Sequence, residues 1–122
     1  MTTTEKHVVF GTGPAGSTLA ELLHTQGKQV CCVNRSGQAA LTGIDVVAGD
    51  MLDVEQVRSL CAGTMVVYHC ANVPYSQQVE LIPRFQDNII DGAARANAGV
   101  FCINPRKRGL RNLLTNGTSP FN

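Results

Sequence analysis

One stretch constrains this sequence more than any other: Gly11-Thr12-Gly13-Pro14-Ala15-Gly16, a Gly-x-Gly-x-x-Gly spacing. It follows directly on His7-Val8-Val9-Phe10, an apolar run that reads as a buried strand. After it, Leu19, Leu22 and Leu23 repeat at i, i+3, i+4, the spacing of one helix face over Pro14 to Gln26, and Gly27 is a natural stop. A chain that turns from strand into helix within so few residues needs the glycines. Gly11 permits the tight turn, Gly13 leaves room for a group to approach the backbone, and Gly16 lets the helix pack close to the strand. The helix start then offers free N–H groups and a partial positive charge, which suit a pyrophosphate. A glycine-rich turn without a ligand is the alternative.

The same punctuation continues along the chain. Gln29 to Val33 is a second strand, closed by the turn cluster Asn34-Arg35-Ser36-Gly37. Ile44 to Ala48 is a third strand, ending in Gly49-Asp50. Asp53 caps the next helix with Gln56 three residues on, as in a capping box; Val54, Val57 and Leu60 give it an apolar face and Gly63 ends it. Met65 to Cys70 is a fourth strand, followed by a loop through Tyr75. A helix starts near Pro83, which suits a first turn, and Phe85, Ile89 and Ala93 recur along it beside Ile82 and Ile90. Val100 to Ile103 is a fifth strand. The alternation β-α-β-β-α-β-α-β implies an α/β fold. Its core is a Rossmann-type parallel sheet of about five strands, with helices on both faces. Right-handed crossovers set the strand order at 3-2-1-4-5.

Residues 1–104 therefore read as one NAD(P)-binding domain and 105–122 as a separate basic tail. Arg106, Lys107, Arg108 and Arg111 stand there without an acidic residue, beside Leu110, Leu113 and Leu114. The tail reads as poorly ordered or as a short helix around 108–115. A basic cluster can bind nucleic acid or act as a localisation signal, but a solvated tail is the preferred reading. The net charge of +1 gives no general case for nucleic-acid binding, and no apolar run approaches the length of a membrane span. No secretory signal is visible in Met-Thr-Thr-Thr-Glu-Lys. The five cysteines, Cys31, Cys32, Cys61, Cys70 and Cys102, form no Cys-x-x-Cys pair. Their odd number and spacing argue against a disulfide framework or a zinc site and for reduced, buried thiols in a cytoplasmic protein.

The end of the second strand bears on the choice of dinucleotide. An NAD site places Asp or Glu there to hold the ribose hydroxyls. Here the position reads Asn34-Arg35-Ser36. A carboxylate would repel a 2′-phosphate, whereas Arg35 can pair with one in a bidentate, charge-assisted way, and Asn34 and Ser36 can add hydrogen bonds. NADP is therefore expected, with NAD as second choice. The alternative is an ordinary solvated arginine. Asp50 is placed to accept a hydrogen bond from an adenine amino group, or to serve only as a turn or cap residue. Asn72 and Tyr75 follow the fourth strand at the ligand-binding edge of such sheets, as contacts or as packing residues. His69, in an apolar strand, reads as a satisfied core residue.

Taken together the chain resembles the short-chain dehydrogenase/reductase superfamily over about residues 6 to 104. The likeness is to its extended and atypical branch, related to nucleotide-sugar epimerases and dehydratases. The resemblance rests on Thr12-Gly13-Pro14-Ala15-Gly16, on Gly49-Asp50-Met51-Leu52-Asp53, on Cys70-Ala71-Asn72 and on Asn88-Ile89-Ile90-Asp91-Gly92-Ala93. It implies that Gly11, Gly13, Gly16, Arg35 and Asp50 hold the cofactor, with Met51 beside Asp50. It also implies that Ala71 and Asn72 line the nicotinamide-ribose side. Leu19 stands where the extended branch has a further glycine, which points to an atypical member.

The larger departure is catalytic. The resembled family moves protons with a Tyr and a Lys four residues later. The tyrosines here are Tyr68 and Tyr75, and the residues four positions on are Asn72 and Val79. No catalytic residue is therefore assigned. The leading expectation is the NADP-binding part of an epimerase/dehydratase-like or reductase protein, a truncated form without its substrate domain. The alternatives are a non-catalytic NADP-sensing regulator acting through a protein partner, and a small reductase completed by another subunit. An open sheet edge further suggests a homo-oligomer or a partner subunit.

Overall fold

A computed structural model of the chain describes residues 5–71 and 75–102, with Tyr75 described by its backbone alone. Asn72, Ile103 and the basic tail lie outside the described residues. The elements run β1 (Lys6–Phe10), α1 (Pro14–Thr25), β2 (Gln29–Asn34), β3 (Asp45–Ala48), α2 (Val54–Cys61), β4 (Val66–His69), α3 (Tyr75–Arg95) and β5 (Gly99–Cys102). The five strands form one parallel sheet in the order β3-β2-β1-β4-β5, as expected from the sequence. Phe10 lies between Val33 of β2 and His69 of β4, so the glycine loop leaves the middle of the sheet at its carboxyl edge.

Successive strand residues point to opposite faces, and the two faces bury different helices. Val8, Phe10, Val67 and Val100 pack with Val57 and Cys61 of α2 and Phe85, Ile89 and Ala93 of α3. Val9, Val30, Cys32 and Tyr68 pack with Ala20 and Leu23 of α1. Arg58 of α2 donates to Asp91 of α3 through Nε at 2.8 Å and Arg95 donates to the other Asp91 oxygen at 3.1 Å. Those two guanidiniums hold the Asp91 carboxyl below its ordinary range. Among the described residues no helix is long and apolar enough to cross a membrane.

Two expectations about the helices are corrected. In α1 the buried stripe is Gly16, Ala20 and Leu23, while Leu22 is 54% exposed and Leu19 is only partly buried. Gly16 holds the first of those positions because a Cβ there would collide with the Gly11 backbone, and larger Leu23 enters the stripe only two turns later. The third helix begins at Tyr75, and Pro83 lies inside it. Its inward face runs on upstream through buried Gln78 and partly buried Ile82. Pro83 is exposed, and so is Val79, whose carbonyl loses its helical donor. The backbone group freed by the proline therefore faces water, and packing on both sides carries the helix through it.

Candidate functional site

The glycine loop is shaped by what lies behind it. Gly11 has φ +109°, and a Cβ there would meet the Cys70 carbonyl oxygen at 2.6 Å. A Cβ on Gly16 would collide with the Gly11 carbonyl oxygen. The Gly11 N–H donates to the Val33 carbonyl at 2.8 Å and the Ser17 hydroxyl to the Thr12 carbonyl at 2.8 Å, which fixes the loop against β2 and α1. Gly13 differs from its neighbours: it is the N-cap of α1, and a Cβ there would meet nothing within 4 Å. No side chain caps this helix, and Pro14 brings no N–H of its own. The first-turn N–H groups of Ala15 and Gly16 thus have no intrahelical acceptor.

In front of the loop opens a cavity of about 830 Å³, within the range of small-molecule and cofactor sites. Gly11, Thr12 and Gly13 form one side, Asn34, Arg35 and Ser36 the next, and Asp50 and Met51 the third, with Ala71 at the back. Pro14, Ala15 and Gly16 do not line it; the first two are exposed at the helix start and Gly16 is buried under the loop. Ala48, Gly49, Leu52, Gln56, Gln77, Leu81 and Phe85 complete the lining and were not expected from sequence. Gln77, Leu81 and Phe85 stand at i, i+4 and i+8 on one edge of α3. Their spacing would have revealed them had the helix start been read at Tyr75.

Arg35 is the one cation among these lining residues and Asp50 the one carboxylate. Arg35 is exposed and takes part in no salt bridge among the described residues. The neighbouring turn is built by side chains. Asn34 Nδ2 donates to Thr12 Oγ1 at 2.9 Å and to the Gln38 carbonyl at 2.8 Å, and Asn34 Oδ1 accepts from the Gly37 N–H at 2.6 Å. The Ser36 hydroxyl accepts from the Gln38 N–H at 3.2 Å. On the third side, Asp50 Oδ1 accepts from the Leu52 N–H at 2.9 Å. Asp53 caps α2 by accepting from the Glu55 and Gln56 N–H groups. Gln56 reaches back to accept from the Asp50 N–H at 3.0 Å, and Asn88 of α3 donates to the Met51 carbonyl at 2.9 Å. Both tie this loop to the helices behind it.

The remaining titratable groups sit away from the cavity lining. The Tyr68 hydroxyl shares a 2.9 Å hydrogen bond with His7 Nδ1, near the start of β1, and burial pushes Tyr68 up to about 12. His69 is buried as expected but not satisfied: its Nδ1 has no hydrogen-bond partner among the described residues, and desolvation pushes the imidazole down to about 4. Cys32, Cys61, Cys70 and Cys102 are buried and Cys31 is partly so; burial raises all five thiols, Cys70 to about 12. They stay protonated near neutral pH. Among the described residues no group of three or more His, Cys, Asp or Glu could hold a metal ion.

A family profile described as FAD binding domain matches residues 4–63, a span that takes in β1 to α2. Among curated proteins no sequence matches the chain. Solved structures share its fold. A candidate epimerase from Bacteroides thetaiotaomicron is 22% identical with a TM-score of 0.64, over 82% of this chain and 47% of that one. A candidate NADH-flavin reductase from Streptococcus pneumoniae is 16% identical with a TM-score of 0.71, over 82% of this chain and 47% of that one. The Bordetella bronchiseptica enzyme WbmH, solved in complex with NAD+, is 22% identical with a TM-score of 0.64, over 80% of this chain and 38% of that one. The chain spans less than half the length of these three proteins. At such identities the likeness is one of fold.

Proposed function

We propose that this chain binds the ADP half of a dinucleotide in the cavity before the glycine loop, with NADP preferred and NAD second. One observation carries the preference: an unpaired guanidinium, Arg35, stands on the cavity beside Ser36, where an NAD site would carry a carboxylate. Gly11, Thr12, Gly13 and the free first-turn N–H groups of Ala15 and Gly16 would hold the pyrophosphate, with Pro14 setting the helix start, Asp50 and Met51 the adenine, and Ala71 with Asn72 the ribose beyond. Residues 1–104 would form this binding domain, and residues 105–122 a solvated tail.

A bound nicotinamide would supply hydride chemistry. The residues assigned here bind and orient it; none is assigned to proton transfer. No Tyr-x-x-x-Lys occurs in the sequence, and the Tyr68 hydroxyl is engaged with His7. We therefore assign binding without turnover by this chain alone, as the nucleotide-holding part of an epimerase/dehydratase-like or reductase protein. An NADP sensor acting through a protein partner would use the same site. The five free cysteines suit reduced thiols and a cytoplasmic setting.

The family profile favours a second reading, FAD in the same cavity, since FAD shares the ADP moiety but lacks a 2′-phosphate. Calorimetric titration of the chain with NADP, NAD and FAD separates the two. NADP is expected to bind about ten- to a hundredfold more tightly than NAD, and Arg35→Ala to abolish that preference. Tightest binding of FAD, unchanged in Arg35→Ala, would establish the second reading. No binding of any of the three would overturn both.

A further inference from the structure

Asn34 stands at the end of β2 on the cavity, yet both of its N–H groups are engaged within the protein. A carboxamide offers two N–H donors and two acceptor lone pairs. Here Nδ2 donates to Thr12 Oγ1 and to the Gln38 carbonyl, while Oδ1 accepts from the Gly37 N–H; the one Ser36 hydroxyl hydrogen lies between Asn34 Oδ1 at 3.4 Å and the Gln38 carbonyl at 3.3 Å and can serve only one of them. The orientation of the amide is fixed, because a carbonyl can only accept and a backbone N–H can only donate. Asn34 is thereby left without a free N–H donor for a ribose hydroxyl or a phosphate. What it does instead is join Thr12, in the glycine loop, to the turn 36–38 beside Arg35. Among the described residues no other side chain bonds to both.

We infer that Asn34 is a positioning residue that couples the two phosphate-binding sides of the cavity. Through it, the Arg35 side and the glycine loop respond to the ligand as one unit. The inference rests on the NADP reading above and adds that the contribution of Arg35 depends on the Asn34–Thr12 bond. A carboxylate at this position could not donate to the Gln38 carbonyl and would face it with like polarity. The turn seen here therefore requires the amide. Asn34 governs the choice of dinucleotide by holding the turn, without touching the ligand.

The test is a double-mutant cycle with Thr12→Val and Arg35→Ala, read by calorimetric titration with NADP and, separately, NAD. Thr12→Val removes the hydroxyl that accepts from Asn34 and keeps the branched shape. Any direct contact of Thr12 with the ligand cancels in the cycle. In the wild type Arg35→Ala is expected to weaken NADP binding ten- to a hundredfold. In the Thr12→Val background that loss should shrink by about fivefold, the size of coupling typical within one hydrogen-bond network. NAD should show no coupling, since it lacks the 2′-phosphate; a residue that merely supports the fold would affect both nucleotides alike. Asn34→Ala in the same cycle should give the same result, with thermal melting confirming that each variant is folded. If Arg35→Ala costs the same in every background while NADP still binds, the coupling is overturned and the NADP reading stands. If Arg35→Ala leaves NADP binding of the wild type unchanged, both are overturned.

Discussion

The two main sides of the cavity are built in different ways. The glycine loop is shaped mainly by backbone: the Gly11 N–H on the Val33 carbonyl, and a close approach at Gly16 that leaves no room for a side chain, with Ser17 and Asn34 adding side-chain bonds at Thr12. The turn after β2 is held by side chains, with Asn34 and Ser36 bonding the backbone of residues 37 and 38. Backbone N–H groups at a helix start suit any pyrophosphate and do not distinguish one dinucleotide from another. Side chains carry charge and shape, so discrimination falls to the second side. A fold shared with proteins of several different descriptions is consistent with that division.

The division can be broken at its root. Gly16→Val should be the most damaging change. Its Cβ collides with the Gly11 backbone, and we expect a loss of about 3 kcal/mol or more, measured by urea unfolding, with NADP and NAD binding lost together. A control comes from outside both sides. The folded His69 imidazole takes up a proton only near about 4, well below its ordinary 6.5. The unfolded chain is therefore protonated first as pH falls. The stability that depends on neutral His69 is complete above about pH 6.5 and is lost as pH falls toward about 4, up to about 3 kcal/mol. His69→Leu should flatten that acid limb in pH-dependent melting while leaving NADP binding at neutral pH unchanged.

Smaller changes sharpen the comparison. Arg35→Ala should weaken NADP ten- to a hundredfold and leave NAD within about twofold, with the fold intact. A matched loss for NAD would place discrimination elsewhere. Gly13→Ala should cost at most about 1 kcal/mol, the ordinary preference for glycine over alanine at an N-cap, since its Cβ enters open space and the backbone there is extended. It should weaken both nucleotides alike. A large stability change at Gly13, in chemical unfolding, would mean that this glycine is packed like Gly11 and Gly16.

Much of the fold was legible because parallel strands buried on both faces read as apolar runs, such as Val8 to Phe10, bounded by glycines. The α1 stripe was misread because leucine dominates a hydrophobic pattern, whereas close helix–strand packing selects Gly16 and Ala20. The start of α3 was misread because a proline favours a first turn. It is equally accommodated inside a helix where the freed carbonyl, here that of Val79, lies on an exposed face. That error hid Gln77 and Leu81 from the cavity lining, and with them the edge of α3 that Phe85 continues. The glycine loop was legible because its spacing is itself the geometry. The engagement of Asn34 was not, because its partners at residues 37 and 38 are backbone groups whose positions depend on the turn. Nor does an apolar strand pattern reveal that His69 Nδ1 lacks a hydrogen-bond partner among the described residues.

The central claim is that both sides of one cavity grip one dinucleotide, and amide chemical-shift mapping during NADP titration tests it most directly. The largest shifts should fall on Gly11 to Gly16 (Pro14 has no amide), on Arg35 to Gly37 and on Asp50 to Leu52. Glu5, Lys28 and Met65 at the opposite edge of the sheet should stay unmoved. Shifts confined to that opposite edge, or no saturable shifts at the glycine loop, would contradict the account.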